Sequence, residues 1–232
     1  MKFTDKERQE LDLFQNSTLP MMQFAVNGIR AVTKKECEEL VLTRHYAGRM
    51  PQVDQAWGLF ESGVLVGVVC FGRPATPQVA NSVIEPSYKK SVIELNRLVV
   101  TTKTKNAASS LVGHALREMK GPMVVVSYAD GAAGHVGYIY QATNFYFSGS
   151  VKAHDSEYVW NGKKYHPRVL AHMGIKNPTQ WAKEVGAEKL PIIAKNRYLY
   201  LVGNKREVRD IKKQVKWSMS KQYPNGDTKR HE

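Results

Sequence analysis

Residues 92–128 read as strand, helix and strand in close succession, and no other stretch restricts the fold so tightly. Val92-Ile-Glu-Leu-Asn-Arg-Leu-Val-Val-Thr101 is a nearly continuous apolar run, the pattern of a strand covered on both faces. Ala108, Leu111, Val112, Ala115, Leu116 and Met119 recur at helical spacing and draw one apolar stripe over 106–119. Asn106 is the expected N-cap and Gly121-Pro122 the stop. Met123-Val-Val-Val-Ser-Tyr128 then has the length of a central strand. Two strands joined through a helix in one sheet run parallel, so this segment alone predicts a βαβ unit.

The flanking residues extend that unit. Residues 22–32 predict a first strand. Thr33-Lys-Lys-Glu36 has the form of a capping box, and Cys37, Leu40, Val41 and Arg44 carry a helix to about Tyr46, with Gly48 as its stop. Ala56–Phe60 and Val64–Phe71 flank Glu61-Ser62-Gly63 and predict a hairpin. Residues 72–77 are a Gly/Pro/Thr loop. A short helix at 134–142, an aromatic strand at 145–149 and a late strand at 195–202 complete the pattern. Residues 151–194 are less regular, strand-like at 157–160 and helix-like at 178–186. The organisation expected is a polar leader (1–20), one α/β domain with a mixed central sheet flanked by helices (21–203), and a basic helix or tail (204–232).

Composition narrows the function. The 232 residues contain no run of about 18 apolar positions, which excludes a spanning helix, and the charged start has no apolar core of a signal peptide. Cys37 and Cys70 alone cannot build a disulfide framework or a Cys-rich zinc site, and a reducing cytoplasm is the default expectation. The net charge is +13. From Lys195 onward there are eleven basic and four acidic residues, a net of +7 over 38 positions. Such a chain favours a polyanionic partner, nucleic acid before an anionic membrane surface; plain solubility is the bland alternative.

Several side chains stand where chemistry is possible. His45 and Tyr46 end a helix before a Gly-Arg-Met-Pro turn, where a histidine can ligate a metal, shuttle a proton, or simply meet the helix dipole. Arg97 lies inside an apolar strand and needs an anionic partner, either a ligand or a structural pair with Glu94 or Asp130. Ser127 and Asp130 lie at the carboxyl end of a parallel strand, where ligands of open α/β sheets gather, although Asp130-Gly131 is also a good turn pair. His135 begins the next helix, as a ligand or an ordinary N-terminal residue. Among Tyr138, Tyr140, Phe145, Tyr146 and Phe147, which can be core or a stacking surface for an extruded base, Tyr146 is the preferred stacking residue. Arg49 and Arg73, in Gly/Pro loops, are candidate phosphate contacts. His154, His166 and His172 follow no ligand spacing and read as scatter.

The order of elements resembles the GNAT acetyltransferase fold, in which the loop and helix N-terminus after the central strand cradle the pyrophosphate of an acyl-CoA. A more specific resemblance rests on several blocks together. They are His45-Tyr-Ala-Gly-Arg-Met-Pro51, Val69-Cys-Phe-Gly-Arg-Pro74, Glu94-Leu-Asn-Arg-Leu-Val-Val100, Asn106-Ala-Ala-Ser109, Val126-Ser-Tyr-Ala-Asp130, Gly134-His-Val-Gly137 running on through Tyr140 to Phe145, and Asn196-Arg-Tyr-Leu-Tyr200. These blocks, from about residue 24 to 216, resemble the phage Mom-type DNA modification proteins. The resemblance implies a GNAT-like transferase that adds a carbamoylmethyl group to the N6 amine of adenine in double-stranded DNA, shielding phage DNA from restriction in the host cytoplasm. It implies His45, Tyr46, Arg97, Ser127, Asp130 and Tyr146 as catalytic residues. Lys103, Lys105, Asn106 and Ser109 would lie at an acyl-CoA-type donor, and iron would be held by His45, Asp130 and His135. The glycine-free stretch Thr101-Thr-Lys-Thr-Lys-Asn106 departs from the usual pyrophosphate loop, so its lysines either hold a phosphate by charge or belong to a solvated loop. Two rival functions fit the same fold. An acyl-CoA-dependent N-acetyltransferase of a small amine or protein would turn over acetyl-CoA without DNA, and a non-catalytic DNA-binding protein would leave DNA unchanged.

Overall fold

The computed structural model describes residues 28–131, 135–151, 156–191 and 193–225. The expected leader at 1–20, the first part of the strand expected at 22–32, and His154 lie outside the described residues. The chain divides into two compact units. Of the described residues, the first takes those from Gly28 to Ser127 together with Ile139–Phe145 and Leu199–Trp217; the second takes those within Tyr128–Tyr138 and Tyr146–Tyr198 and residues 218–225.

In the first unit β1 (Gly28–Ala31) is antiparallel to β2 (Gln55–Glu61), β2 to β3 (Val64–Gly72), and β3 to β4 (Val92–Val100). The turn between β2 and β3 is Ser62-Gly63, both residues at positive φ (49° and 79°), which matches the twist of the two strands. Strand β4 is parallel to β5 (Met123–Asp130), as the βαβ pattern requires. On the other side of β5 lies β10 (Lys195–Val202). This is the mixed central sheet that the sequence predicts. Helix α1 (Lys34–Arg44) has the expected capping box: the Glu36 amide donates to Thr33 Oγ1 (3.3 Å) and the Thr33 amide to Glu36 Oε2 (2.7 Å). The Thr33 amide first, then Arg30 and the Thr33 hydroxyl, hold the Glu36 carboxyl down to about 2. Helix α2 (Pro77–Val83) and a 3-10 segment at Pro86–Ser91 occupy a stretch where the sequence predicts no element.

Helix α3 (Ala107–Glu118) buries Leu111, Val112, Ala115 and Leu116, four positions of the predicted stripe. Its start corrects one expectation. Asn106 stands at the N-cap in the left-handed region (φ 63°, ψ 10°) and makes no side-chain capping bond. A second core joins Val32, Cys37, Val41, Ala56, Val68, Cys70 and Val99. There Cys70 Sγ donates to Cys37 Sγ at 3.8 Å and Cys37 Sγ to the Lys34 carbonyl at 3.1 Å. The contact with Cys37 and then burial push the Cys70 thiol far up, so this thiol is core and not a nucleophile.

In the second unit the start of β10 pairs with β6 (Tyr146–Val151). The irregular stretch after it forms a small sheet of its own, ordered β8 (Lys163–Tyr165), β7 (Tyr158–Trp160) and β9 (Glu188–Lys189), with α5 (Pro167–His172) and α6 (Pro178–Val185). Tyr158, Leu170 and Ala182 are its buried centre, with Tyr165, Ile175 and Trp181 packed around them.

The basic C-terminal stretch begins as a helix, α7 (Lys205–Lys212). Asn204 and Glu207 cap it reciprocally, and Ile211 is only 2% exposed. Trp217 is buried as well, and the Lys216 amide donates to the Val83 carbonyl at 2.8 Å. Its described part is thus packed into the first unit through Trp217, with charge confined to the outer face.

Candidate functional site

The site in the first unit originates in a failure of regular pairing. Strands β4 and β5 pair only at Val92↔Val124, Ile93↔Val125 and Glu94↔Val126, although both continue well past that point. Opposite, β3 pairs Cys70 with Arg97 but Phe71 with Leu95, which leaves Asn96 as an extra residue in β4. Such a bulge bends its strand and re-aims the neighbouring side chains.

Two polar groups exploit the opening. Ser127, 1% exposed, hydrogen-bonds the Leu95 carbonyl at 2.9 Å and the Tyr140 hydroxyl at 2.8 Å. A hydroxyl has one proton, so when Ser127 donates to the carbonyl, Tyr140 must donate to Ser127. Ser127 thereby replaces the ladder bond that β4 and β5 no longer make. Tyr140, on α4 (Tyr138–Ala142), packs on Phe145, which packs on Tyr200, with both centroid separations 5.3 Å. Phe145 is fully buried core, one of the two roles that its sequence pattern allows, and Tyr140 and Tyr200 are half-buried against it.

The bulge also anchors the loop that follows α1. Arg97 Nε and Nη2 donate to the Arg49 carbonyl at 3.2 and 3.1 Å, and Asn96 Nδ2 donates to the Gln52 carbonyl at 2.9 Å. The loop crosses so close that a Cβ on Gly72 would lie 2.0 Å from the Gln52 oxygen; only glycine fits there. Arg49 and Arg73 are both exposed on these loops.

Arg97 is held by carbonyls alone. Among the described residues no carboxylate lies within ion-pair distance of it. Of the two expected structural partners, Glu94 instead accepts the Ala75 amide (3.3 Å) and Asp130 pairs with Lys195. Burial first, and then the charge of Arg49, lower the basicity of the Arg97 guanidinium. A half-buried guanidinium with no carboxylate in ion-pair range among the described residues has the chemistry to receive an anionic group.

His45 and Tyr46 stack at 4.3 Å with 29° between the rings, and Tyr46 is 66% exposed. The Ala47 amide donates to His45 Nδ1 at 3.0 Å, which places the proton of the neutral ring on Nε2.

The loop before α3 is organised by a residue the sequence reading missed. Glu61, at the end of β2, accepts bonds from the Thr102 hydroxyl (2.9 Å) and the Thr104 hydroxyl (2.8 Å). Lys103, Lys105 and Asn106 are exposed, and the Ser109 hydroxyl turns back to the Asn106 carbonyl at 3.0 Å.

In the second unit Asp130 bridges to Lys195 at 3.0 Å, and the His135 amide donates to the Asp130 carbonyl at 3.1 Å. The Tyr198 hydroxyl donates to the Val136 carbonyl, and Gly137 (φ 91°) lies against the Tyr198 ring where a side chain would clash. Tyr146 has the Lys221 ammonium 4.2 Å from its ring centroid.

The expected iron finds no fitting donor set among the described residues. Among the described residues no three His, Cys, Asp or Glu side chains form a metal-holding group. Of the three expected ligands, His45 accepts the Ala47 amide proton at Nδ1 and Asp130 pairs with Lys195 through Oδ2. Lys195 and Lys221 belong to no motif and Glu61 only to the hairpin turn; each meets its partner through strand pairing or loop closure that no local pattern shows.

A model of the Mom protein family matches residues 27–225. The chain is 32% identical over 136 residues to the methylcarbamoylase mom of Escherichia phage Mu, a match covering 55% of this chain and 54% of that protein. The chain thus spans about half the length of this curated relative. It is also similar to a Bacillus subtilis acetyltransferase solved with CoA (11% identity, 75% of this chain and 97% of that one, TM-score 0.42). A further similar structure is Arabidopsis thaliana NAA60 with a bisubstrate analogue (12% identity, 76% and 97%, TM-score 0.43). Among the described residues no helix is long and apolar enough to cross a membrane.

Proposed function

The chain belongs to the Mom protein family, and from that premise we propose that it is a DNA modification enzyme that adds a carbamoylmethyl group to the N6 amine of adenine, protecting phage DNA from host restriction. The observation that carries the reading is Arg97: a half-buried guanidinium held by the Arg49 carbonyl, with no carboxylate in ion-pair range among the described residues. It supports a site that receives an anionic group, and the name of the phage Mu relative, a methylcarbamoylase, supports transfer of a methylcarbamoyl group.

In this reading the enzyme works on double-stranded DNA in the cytoplasm of an infected host. Arg49 and Arg73 on the rim contact the phosphate backbone. The target adenine is extruded, because its N6 is out of reach within the stack, and Tyr146 supplies the stacking surface. His45, Tyr46, Arg97 and Asp130 act on the reacting groups, with Arg97 fixing an anionic oxygen and Ser127 holding the two strands at their point of divergence. The start of α3 fits a phosphate-bearing donor of the acyl-CoA type. Asn106 leaves the first turn without a side-chain cap, and Lys103 and Lys105 stand on the approach. Those residues and Ser109 would hold the donor, which supplies an activated carbon. Plain acyl transfer would leave an amide on N6, whereas a carbamoylmethyl group is joined through its methylene carbon, so the chemistry is not ordinary acetylation.

The reading is tested by restriction digestion of deproteinised plasmid from cells that express the chain. An N6 substituent blocks the donor that Asn and Gln side chains use to recognise adenine in the major groove. Cleavage at adenine-containing sites is therefore expected to fail on purified DNA. A DNA-binding protein without catalysis protects only while bound, and cleavage of the purified DNA at the normal rate would refute the proposal.

A further inference from the structure

The described C-terminal residues after Trp217 return to the second unit and pair with β6. The Phe147 amide donates to the Ser220 carbonyl at 2.9 Å and the Ser220 amide to the Phe147 carbonyl at 3.0 Å, a single antiparallel bridge. The Phe147 ring packs on Tyr198 at 5.7 Å, and the Gln222 amide donates to the Ser220 hydroxyl at 2.9 Å within the return segment. With Phe147 opposite Ser220, the next pair outward is Tyr146 opposite Lys221, on the other face of the strand. The side chains meet as that register requires: Lys221 Nζ lies 4.2 Å from the centroid of the Tyr146 ring. The Tyr223 phenol is pushed up by burial and then by Tyr146, and burial also pulls the Lys221 amine down. A lysine on an exposed return segment has no need to approach an aromatic face; here the backbone pairing delivers it there.

We infer that Lys221 is a positioning residue for adenine modification, holding the Tyr146 ring at a fixed angle with one face against a cation, so that the ring serves as a preset stacking plate for the extruded purine. This rests on the function proposed above. A cation against one face of a phenol ring draws its π density and removes its freedom to swing, and both effects favour stacking of an electron-rich base. In this reading the described C-terminal segment contributes one side chain to the stacking of the base and is not only a basic handle for DNA.

The experiment compares wild type, Lys221→Met and Lys221→Arg at matched expression, reading the modified fraction of plasmid adenine by nucleoside mass spectrometry. Melting temperature and salt-dependent affinity for a duplex oligonucleotide are measured on the same purified proteins. Lys221→Met keeps the apolar stem and removes the charge; a loss of modification of about tenfold or more is expected, because a misplaced reacting group is costly. Lys221→Arg keeps a cation that stacks on aromatic rings, and recovery to within about threefold of wild type is expected. Melting temperature and the salt slope of DNA binding should stay at wild-type values. Full modification by Lys221→Met overturns the inference and leaves the proposed function standing. A loss that coincides with a shallower salt slope also overturns it, because Lys221 would then be a phosphate contact. Absence of modification by wild type overturns the function and this inference together.

Discussion

Replacing Ser127 by alanine separates a structural role from a catalytic one at the point where β4 and β5 part. The hydroxyl is buried and makes two bonds, to the Leu95 carbonyl and to the Tyr140 hydroxyl, in place of the strand pairing that ends at Glu94↔Val126. Alanine removes both bonds. A lost hydrogen bond costs about 1 kcal/mol, and more when a buried group is stranded, so the two together cost about 2–3 kcal/mol. For a chain of this size that is a fall in melting temperature of roughly 4–12 °C. Urea unfolding and a thermal scan measure it directly. Modification in cells is expected to fall only as far as the amount of folded protein falls, and Ser127→Cys should not rescue it. A Ser127→Ala protein with unchanged stability and abolished modification would refute the structural assignment and make the hydroxyl part of the chemistry.

Arg97→Met removes a charge held only by carbonyls; modification should be lost while stability, measured in urea, changes by no more than about 1–2 kcal/mol. Replacing Lys205, Arg206, Arg209, Lys212 and Lys213 by glutamine alters only the outer face of α7, leaving Ile211 and Trp217 in place. The salt slope of DNA binding should become shallower by about 0.9 for each phosphate that is no longer neutralised, and an unchanged slope would exclude α7 from the interface. The Glu36 carboxyl, held down to about 2, adds stability that is fully present above the ordinary carboxylate range and is lost as the pH falls from about 4.5 towards 2. Melting temperature followed over that window should therefore decline less in Glu36→Gln than in wild type, and parallel curves would contradict the capping account.

What was legible in the sequence was what local pattern controls. The stripe through Leu111, Val112, Ala115 and Leu116 buries as spaced, the Thr33/Glu36 box closes both of its bonds, and Ser62-Gly63 turns the hairpin. The parallel pair β4–β5 followed from a helix lying between two apolar runs. The interactions within the candidate site were less legible, because they come from departures from pattern. The extra residue Asn96 shifts Arg97 into register with Cys70, and no composition rule announces a bulge. Asn106 has the residue type of an N-cap, but its left-handed backbone turns the side chain away from that task. Lys195 reaches Asp130, and Lys221 reaches Tyr146, across long sequence separations, through strand neighbours that only the folded sheet defines. Position in the pattern and the resemblance together supplied the candidate residues; the structure supplied the contacts of Arg97, Ser127, His45 and Asp130.

The central claim is chemical, and nucleoside mass spectrometry of deproteinised DNA tests it most directly. DNA from cells expressing the chain under phage-infection conditions, digested to nucleosides, should contain a deoxyadenosine heavier by one carbamoylmethyl group, with fragmentation that places the added mass on the base. The Arg97→Met protein, equally abundant and folded, should yield only ordinary deoxyadenosine. Ordinary deoxyadenosine alone from cells rich in the folded wild-type protein would contradict the account.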